Sequence, residues 1–477
     1  MSNLRDDADQ EGRRAAQMKA ILCSAVFLAA SVCSAASLDE SFNDVSSTVL
    51  SRTGKRVQWN RGTPQDAEAE RYVLALLKRP LTPNSAVQVA LLNNHKLQAT
   101  YEEIGIAQAD VIEAGLLRNP LFSIERRFPG QALEAELVTE FIDILFLPMR
   151  KRAAKAQLEA AKSRVGNEIL KIAAEVRAAF YEHQGNLQLG DLGVEVEKAA
   201  AASAEAALQL HQAGNTRDVD LASEEAMHVQ AKLDLAKGQA LAIDTREKLN
   251  KLIGAWGEQT DWTIAPRLPD PPKNEIRTSG LESRAIEQRL DLVALRYEAL
   301  GQAQSLGFAR VQAVGQQFEI GGRYVHEIQA EHSTGPIIRV PIPLFNFGQG
   351  VKARGEAKLR QLQQRYLGLA VEIRSDVRVT RDRMLNARAI IDYSRSTVLP
   401  LRHRVVEESQ LQYNAMQISL FDLLRAKQEE VNAARQSVEA QRDYWVARSN
   451  LEKAVGGSLN GKLLQLSESK EIVNGER

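Results

Sequence analysis

The chain carries the same order of residues twice, in two halves that lie about 200 positions apart. Late in each half the matching residues are separated by a constant 202 positions, whereas earlier matches are separated by 197. The pairs at 202 include Asp220 and Asp422, Leu221 and Leu423, and Gly254 and Gly456; those at 197 include Leu147 and Leu344, and Glu175 and Glu372. A repeat of this length predicts that one structural unit occurs twice in the fold.

Long helices dominate the predicted secondary structure. Residues 401–455 contain neither Gly nor Pro and space their apolar side chains at helical intervals. We expect one very long helical segment there, with a turn near its start, and a copy of its later part at 209–254. A helical pattern also runs from Pro148 to about Gln212, which at 1.5 Å per residue predicts a helix on the order of 95 Å long.

The N-terminus has the charged, apolar and small-residue order of a secretory signal. Lys19 precedes an apolar run at 20–32, which is too short for an ordinary membrane-spanning helix and ends in small residues at Ala36. We therefore predict an N-terminal extension and signal peptide at 1–36. Cleavage after Ala36 would remove both cysteines of the chain, so we expect no disulfide in the mature protein. A buried N-terminal helix is the alternative.

Two segments in each half change from a helical period to the alternation of a β-hairpin. We predict strands at about 121–128 and 135–147 in the first half, and at about 316–328 and 337–345 in the second. One face of these strands is apolar, and the other carries charged residues. The charged residues are Glu125, Arg127, Glu319 and Arg323.

Strands of roughly ten residues have the length needed to cross a bilayer in a tilted barrel. The charged residues would then face a wet lumen and the apolar face would meet lipid. Four strands cannot close a barrel, and open sheet edges are excluded from hydrocarbon, so several chains would have to share one barrel. A soluble antiparallel sheet packed on one face fits the same alternation.

These elements divide the chain into four parts after the signal peptide. We expect a lead segment at 37–79, a first repeat at 80–276, a second repeat at 277–457 and a C-terminal tail at 458–477. Each repeat contains a helix, a β-hairpin, a long helix, a turn and another long helix. The predicted fold class is therefore mainly α with a β-barrel portion, although a dry antiparallel coiled-coil bundle also fits the helical pattern.

This arrangement resembles the TolC family of outer-membrane efflux proteins. The features that carry the resemblance are the signal peptide, the doubled order and four stretches of sequence. Three of the stretches are Leu81-Thr82-Pro83 with Ala90-Leu91-Leu92-Asn93-Asn94, Arg118-Asn119-Pro120 before the first strand, and Leu411-Gln412-Tyr413 with Ser419-Leu420-Phe421-Asp422-Leu423-Leu424. The segment 341–348, Pro-Ile-Pro-Leu-Phe-Asn-Phe-Gly, adds a fourth stretch, and together the matches cover nearly all of 80–457.

The resemblance implies a homotrimer with a twelve-stranded outer-membrane barrel, continued by a twelve-helix periplasmic tunnel. The helical turns would form a periplasmic tip that docks onto a periplasmic adaptor protein tied to an inner-membrane pump. A pump of the resistance-nodulation-division type is favoured over an ABC type. The tip residues would be Gly214, Asn215, Thr216 and Arg217 in the first repeat and Met416, Gln417, Ile418 and Ser419 in the second.

The resemblance also places an acidic residue at the tunnel constriction, where this chain has Asp422 and its counterpart Asp220. Three copies around a narrow mouth would favour cations, and their mutual repulsion would raise the pKa of the carboxyl groups. The chain departs from the family pattern at Arg425, where a second acidic residue often occurs, and at Met416, where Gly is usual. Asp422 and Arg425 could lock the mouth by ion pairs, or both could lie on a solvated helix face.

The expected function is passive conduction through an outer-membrane channel of a tripartite efflux or secretion system in a Gram-negative bacterium. The 61 basic and 61 acidic residues balance, which gives no argument for nucleic acid as a partner. We find no catalytic, nucleotide-binding or zinc-protease motif, so we predict no enzyme activity, no cofactor and no metal site. The alternative is a periplasmic coiled-coil adaptor or scaffold that conducts nothing.

Overall fold

A computed structural model describes residues 38–127, 132–315, 318–326, 333–340, 342, 344–345 and 347–459. The signal peptide predicted at 1–36 lies outside the described residues, as does the predicted tail after 459. The chain divides into two compact units. The first contains the described residues up to Ser47 together with Ala99–Gly166 and Leu290–Leu369; the second contains Thr48–Gln98, Asn167–Arg289 and the described residues from Ala370 onwards.

The described part of the chain is mostly helical and contains one small sheet. A first helix, α1, covers 38–53. The elements of the first half are α2 (Pro64–Leu77), α3 (Pro83–Asn93), α4 (His95–Ala114), β1 (Leu121–Arg127), β2 (Ala132–Glu140), α5 (Phe141–Gln212), α6 (Asp218–Ile253) and a 3₁₀ turn at Gly257–Thr260. Those of the second half are α7 (Leu281–Gln288), α8 (Leu290–Gly315), β3 (Glu319–His326), β4 (Ser333–Arg339), α9 (Gln349–Tyr393), a π-helical turn at Ser394–Val398, α10 (Leu399–Asn414) and α11 (Leu420–Val455).

The repeat seen in the sequence is a repeat of elements. In each half a short helix precedes a longer one, followed by a hairpin, a long helical stretch, a turn and a final helix of 36 residues. The long stretch differs between the halves. Helix α5 runs through 72 residues, whereas the second half divides the same stretch into α9, the π-helical turn and α10. The separation of matching residues changes from 197 to 202 between Glu372 and Met416, a stretch that includes this π-helical turn.

The last helix of each half ends at a glycine with left-handed backbone. Gly254 has φ 70° and Gly456 has φ 87°, a conformation that glycine adopts without the steric cost of a Cβ atom. Gly254 is also closely packed, since a Cβ atom there would lie 2.6 Å from the carbonyl oxygen of Asn93. The side-chain amide of Asn93 donates to the carbonyl oxygen of Gly254 at 2.8 Å, which fixes the end of α6 against α3.

In the second unit the segment that joins the two repeats is tied to three helical stretches. Gln184 of α5 donates to the carbonyl oxygens of Ala265 and Arg267, each at 2.9 Å. The indole of Trp445 on α11 donates to Pro269 at 2.8 Å, and Arg395 in the π-helical turn pairs with Asp270. The connecting segment therefore holds α5, α11 and the π-helical turn together.

The four strands form one antiparallel sheet in the order β1-β2-β3-β4. In the central pair Glu136 lies opposite Arg323, and Glu140 lies opposite Glu319. The edges of the sheet are β1 and β4. Pro336 lies in β4, where a residue without an N–H group is tolerated because one side of the strand is unpaired.

Two predicted strands end in the wrong place. The second was expected at 135–147, but β2 covers Ala132–Glu140 and α5 begins at Phe141. Residues 141–147 are a short apolar run, and periodicity cannot distinguish a strand from a buried helix in such a run. The fourth was expected at 337–345, but β4 covers Ser333–Arg339. Pro341 and Pro343 follow it directly, and proline cannot donate to a strand pairing.

Among the residues that the structure describes, no helix is both long and apolar enough to cross a membrane.

Candidate functional site

The turn between α5 and α6 is built by a residue in the left-handed region. Gly214 has φ 74°, and its N–H donates to the carbonyl oxygen of His211 at 2.9 Å. The N–H of Asn215 reaches back to Leu210 at 2.8 Å, which completes a Schellman motif. The ring Nδ1 of His211 lies 3.0 Å from the carbonyl oxygen of Thr216, so the predicted tip residues of the first repeat form one compact turn.

The turn between α10 and α11 has the same backbone pattern. Met416 donates to Tyr413 at 2.9 Å, and Gln417 donates to Gln412 at 2.9 Å. Met416 has φ 60°, and its side chain is 94% exposed. Among the described residues it alone combines a side chain with a positive φ, which costs about 1 kcal/mol relative to glycine. Met416 is thus the strained equivalent of Gly214.

Asp220 has a partner in its own turn. Arg217 donates to both carboxylate oxygens of Asp220, from Nε at 2.9 Å and from Nη2 at 3.1 Å. These hydrogen bonds and the charge of Arg217 lower the pKa of the Asp220 carboxyl group below its ordinary value. Arg217 was predicted only as a docking residue, and the structure also makes it the counter-ion of a predicted gate residue.

Asp422 closes a capping box at the start of α11. The Ser419 hydroxyl donates to the Asp422 carboxylate at 2.7 Å, and the Asp422 N–H donates back to that hydroxyl at 3.2 Å. The hydrogen bonds from Ser419, aided by the charge of Arg425, lower the pKa of Asp422. In the single chain, therefore, both acidic residues have a lowered pKa. The raised pKa predicted for three clustered copies concerns an assembly of chains and stays a prediction.

Arg425 lies nearly one helical turn after Asp422 on α11. It lines a groove between α5, α6 and α11 together with Glu224 and Phe421. Glu224 is buried and accepts a hydrogen bond from Ser203 at 2.5 Å. Nearby, the ring Nε2 of His228 on α6 lies 3.0 Å from Oε1 of Glu197 on α5. Neither contact between α5 and α6 was anticipated from the sequence, because periodicity does not show which polar residues of two helices meet.

The sheet in the first unit has one polar face. Strand alternation and the observed register put Glu125, Glu319 and Arg323 on the same face, as predicted. Arg127 is the last residue of β1 and pairs with Ala132, but its side chain lies outside the described part. The structure adds Glu134 and Glu136 of β2 and Arg339 of β4 to this face.

Ion pairs join three strands across the polar face. Arg323 Nε lies 2.7 Å from Glu134 Oε1, and Arg339 Nη1 lies 2.6 Å from Glu319 Oε2. Arg339 also pairs with Glu136. Glu134 lies just before the strand predicted at 135–147 and so was not expected on this face. Arg339 lies within both the predicted and the observed fourth strand but was not singled out from the sequence. Strand alternation applied over the observed bounds identifies both.

The opposite face of the sheet is largely apolar and uncovered in the single chain, with Arg126 and His326 at one end. Its large side chains are between 39% and 68% exposed. They are Phe122, Ile124, Leu133, Leu137, Ile320, Tyr324 and Ile338. Soluble monomeric proteins rarely expose a contiguous apolar surface of this kind, so the face marks an interaction surface. Among the described residues no cluster of three or more His, Cys, Asp or Glu side chains is placed to hold a metal ion.

Comparison with known proteins identifies the fold. No protein-family model matches the chain. The chain is 22% identical over 362 residues to the cobalt-zinc-cadmium resistance protein CzcC of Cupriavidus metallidurans, a match that covers 73% of this chain and 83% of CzcC.

Solved structures agree over a similar length. The CmeC outer membrane channel of Campylobacter jejuni matches with a TM-score of 0.67 at 16% identity, over 79% of this chain and 85% of CmeC. The outer membrane protein VceC of Vibrio cholerae matches with a TM-score of 0.63 at 17% identity, over 79% and 96%. The open state of the MtrE outer membrane channel of Neisseria gonorrhoeae matches with a TM-score of 0.59 at 17% identity, over 78% and 88%. The chain therefore has the fold of the TolC-family outer-membrane channels, as the resemblance in its sequence implied.

Proposed function

We propose that this protein is the outer-membrane channel of a tripartite efflux system and acts as a passive conduit for solutes. One observation carries the proposal: the sheet exposes an apolar face and has an ion-paired polar face, on a chain with the fold of outer-membrane channels. An apolar outer face and a polar inner face are what a membrane-spanning barrel requires.

The open edges of the sheet support a homotrimer. Strands β1 and β4 each have one side without a partner strand in the single chain. Unpaired backbone groups are too costly in hydrocarbon, so β4 of one copy would pair with β1 of the next. Three copies of four strands close a twelve-stranded barrel. The carboxylates and guanidinium groups around Arg323 and Arg339 would then line the lumen, and the apolar face would meet outer-membrane lipid.

The long helices would form the periplasmic part of the conduit. Each copy would supply four helices to the tunnel wall: α5, α6, α11 and the stretch from α9 to α10. A trimer would therefore have a wall of twelve helices. The two Schellman turns would lie at its tip, where the exposed side chains of Arg217 and Met416 are available to a periplasmic adaptor. Asp220, Asp422 and Arg425 would control the mouth.

Divalent metal cations are the cargo class that one similar protein indicates. CzcC is named as a cobalt-zinc-cadmium resistance protein. We propose that this chain serves the same class of solute, delivered by an inner-membrane pump of the resistance-nodulation-division type. A channel that only conducts needs no stationary metal site.

The alternative, a periplasmic adaptor without channel activity, is less well supported. The solved structures with this fold are named as outer membrane channels or proteins, and their likeness covers more than three quarters of the chain. A soluble adaptor would also leave the apolar face of the sheet exposed to water.

Detergent extraction of the outer-membrane fraction, followed by sizing and planar-bilayer recording, tests the proposal. We expect a trimer that conducts ions. Recovery of a monomer from the soluble periplasm, with no conductance, would refute both the trimer and the channel. For the cargo, deletion of the gene is expected to lower resistance to cobalt, zinc or cadmium, and reintroduction of the gene is expected to restore it.

A further inference from the structure

A second exposed apolar surface lies next to the sheet in the first unit. Large apolar side chains in the segments that adjoin the strands are between 48% and 88% exposed. Six of them, Leu116, Leu117, Ile144, Leu145, Leu344 and Phe345, are here called the collar. None of them belongs to a strand, so the barrel alone does not account for their exposure.

The topology brings the collar to one end of the sheet. Leu117 precedes the start of β1, Leu145 follows the end of β2 and Leu344 follows the end of β4. The register confirms that these strand ends coincide, because Leu121 pairs with Val138 and Glu140 pairs with Glu319. Glu319 in turn pairs with Arg339, the last residue of β4.

Arg150 fixes part of this arrangement. Its guanidinium donates to the carbonyl oxygen of Ala114 at 3.0 Å and to that of Leu116 at 2.6 Å. These bonds satisfy carbonyls at the end of α4 and tie that end to α5. Leu116 and Leu117 are thereby held beside the first turns of α5.

Basic residues follow the collar in both repeats. Residues 144–158 contain four basic side chains and no acidic one. Lys151, Arg152 and Lys155 of this group are exposed on α5, and Lys352 and Arg354 are exposed on α9. Lys155 and Lys352 are 197 positions apart, so the two repeats place a lysine at the same point.

Helix direction points these cations toward the collar. Side chains on an α-helix lean toward its N-terminus, and both α5 and α9 begin at the collar end of the sheet. Ile144 and Lys151 are seven residues apart and therefore share a helix face, about 10 Å apart along the axis. A lysine stem can cover much of that distance while its ammonium group stays in water.

An apolar band followed by cations is the pattern of a membrane–water interface. We propose that the collar enters the edge of the hydrocarbon on the periplasmic side and that Lys151, Arg152, Lys155 and Lys352 bind the phosphate headgroups of anionic phospholipids. This inference rests on the proposed function, since it needs the sheet to span the outer membrane. Two features favour a lipid surface as occupant: the collar continues the apolar face of the sheet, and the charge beside it is positive.

The test is lipid selectivity of the whole protein in vesicles. Purified protein is reconstituted in phosphatidylcholine with a trace of spin-labelled phosphatidylglycerol or spin-labelled phosphatidylcholine, and the motionally restricted fraction of each label is measured. We expect the wild type to restrict phosphatidylglycerol several-fold more than phosphatidylcholine, and this preference to fall at high salt. The triple variant Lys151→Gln, Arg152→Gln, Lys155→Gln should lose most of the preference.

A matched triple variant, Lys198→Gln, Lys232→Gln, Lys237→Gln, removes the same charge from exposed positions of the second unit and should behave as the wild type. Equal restriction of the two labels by the wild type, or an unchanged preference in the first triple variant, would overturn the inference. The inference would also be overturned if Leu145→Ser converted the trimer to a monomer and left lipid selectivity intact. That result would show that another copy of the chain, and not lipid, covers the collar. Conductance of the same wild-type preparation tests the channel separately, so a conducting protein without lipid preference refutes only the collar.

Discussion

Gly214 and Met416 occupy the same backbone position in the two halves of the chain. Each is the left-handed residue of a Schellman motif, with φ 74° and φ 60°, and each lies between two long helices. Glycine adopts this conformation freely, whereas methionine pays for its Cβ atom. The two turns are therefore alike in shape and unequal in stability.

This inequality predicts that Met416→Gly stabilises the turn between α10 and α11 by about 1 kcal/mol. Hydrogen exchange of the last turn of α10 should slow severalfold. Met416→Ala is the control, because it removes the exposed side chain but keeps the Cβ atom, and it should leave exchange unchanged. Equal slowing in both variants would show that the side chain, and not the backbone conformation, weakens the turn.

The charge of Asp422 is predicted to make the mouth of the channel prefer cations. Asp422→Asn should lower the ratio of cation to anion permeability in planar bilayers. Asp443→Asn removes an exposed carboxylate further along α11 and should leave the ratio unchanged. A ratio that does not respond to Asp422→Asn would place this carboxylate on a solvated face away from the ion path.

The pH dependence of that preference separates two environments of Asp422. Hydrogen bonds from Ser419 lower its pKa in the single chain, so the carboxylate should stay charged throughout mildly acidic pH. A ring of three copies would oppose this by mutual repulsion. Loss of cation preference already between pH 6 and pH 5 would therefore indicate that repulsion in the ring outweighs the capping hydrogen bonds.

The pair Glu134 and Arg323 is predicted to hold β2 to β3 on the polar face. Glu134→Arg and Arg323→Glu should each lower the temperature at which β-structure is lost, because each puts two like charges at the diagonal contact that joins Arg323 to Glu134. The double exchange should recover part of the loss, since the carboxylate at 323 would still lie opposite Glu136. Two single effects that simply add in the double variant would show that the pair contributes nothing as a pair.

His183 predicts a loss of stability in mild acid. Burial, aided by the charge of Arg246, lowers the pKa of this imidazole to about 4. The unfolded chain binds its proton near pH 6.5 and the folded chain only near pH 4, so protons favour unfolding between these values. Stability should fall by about 2 kcal/mol from pH 7 to pH 5 through this residue.

Unfolding midpoints at pH 7 and pH 5 measure this loss. The neutral variant His183→Gln should lose less stability than the wild type over that interval. An acid response that is the same in His183→Gln and the wild type would contradict the assignment.

The order of residues is enough to predict the repeat, the long helices, the turns between them and the existence of two hairpins. All of these follow from local rules: helical spacing, strand alternation, and breaks at residues such as Gly214 and Gly254. The polar face of the sheet also came from alternation, which placed Glu125, Glu319 and Arg323 together correctly. The resemblance to a channel family followed from the order of these local features.

Contacts between distant residues could not be predicted from these local rules. The register of β2 against β3 moved Glu134 from a predicted loop into a strand and gave it Arg323 as a partner. Residues 141–147 form the start of α5, directly after β2, although the composition of this run suits a strand as well as a helix. Arg217 became the counter-ion of Asp220, and Ser419 the cap beside Asp422. Pairings between strands and hydrogen bonds at helix ends depend on where the backbone puts two side chains in space, and residue order alone does not fix that distance.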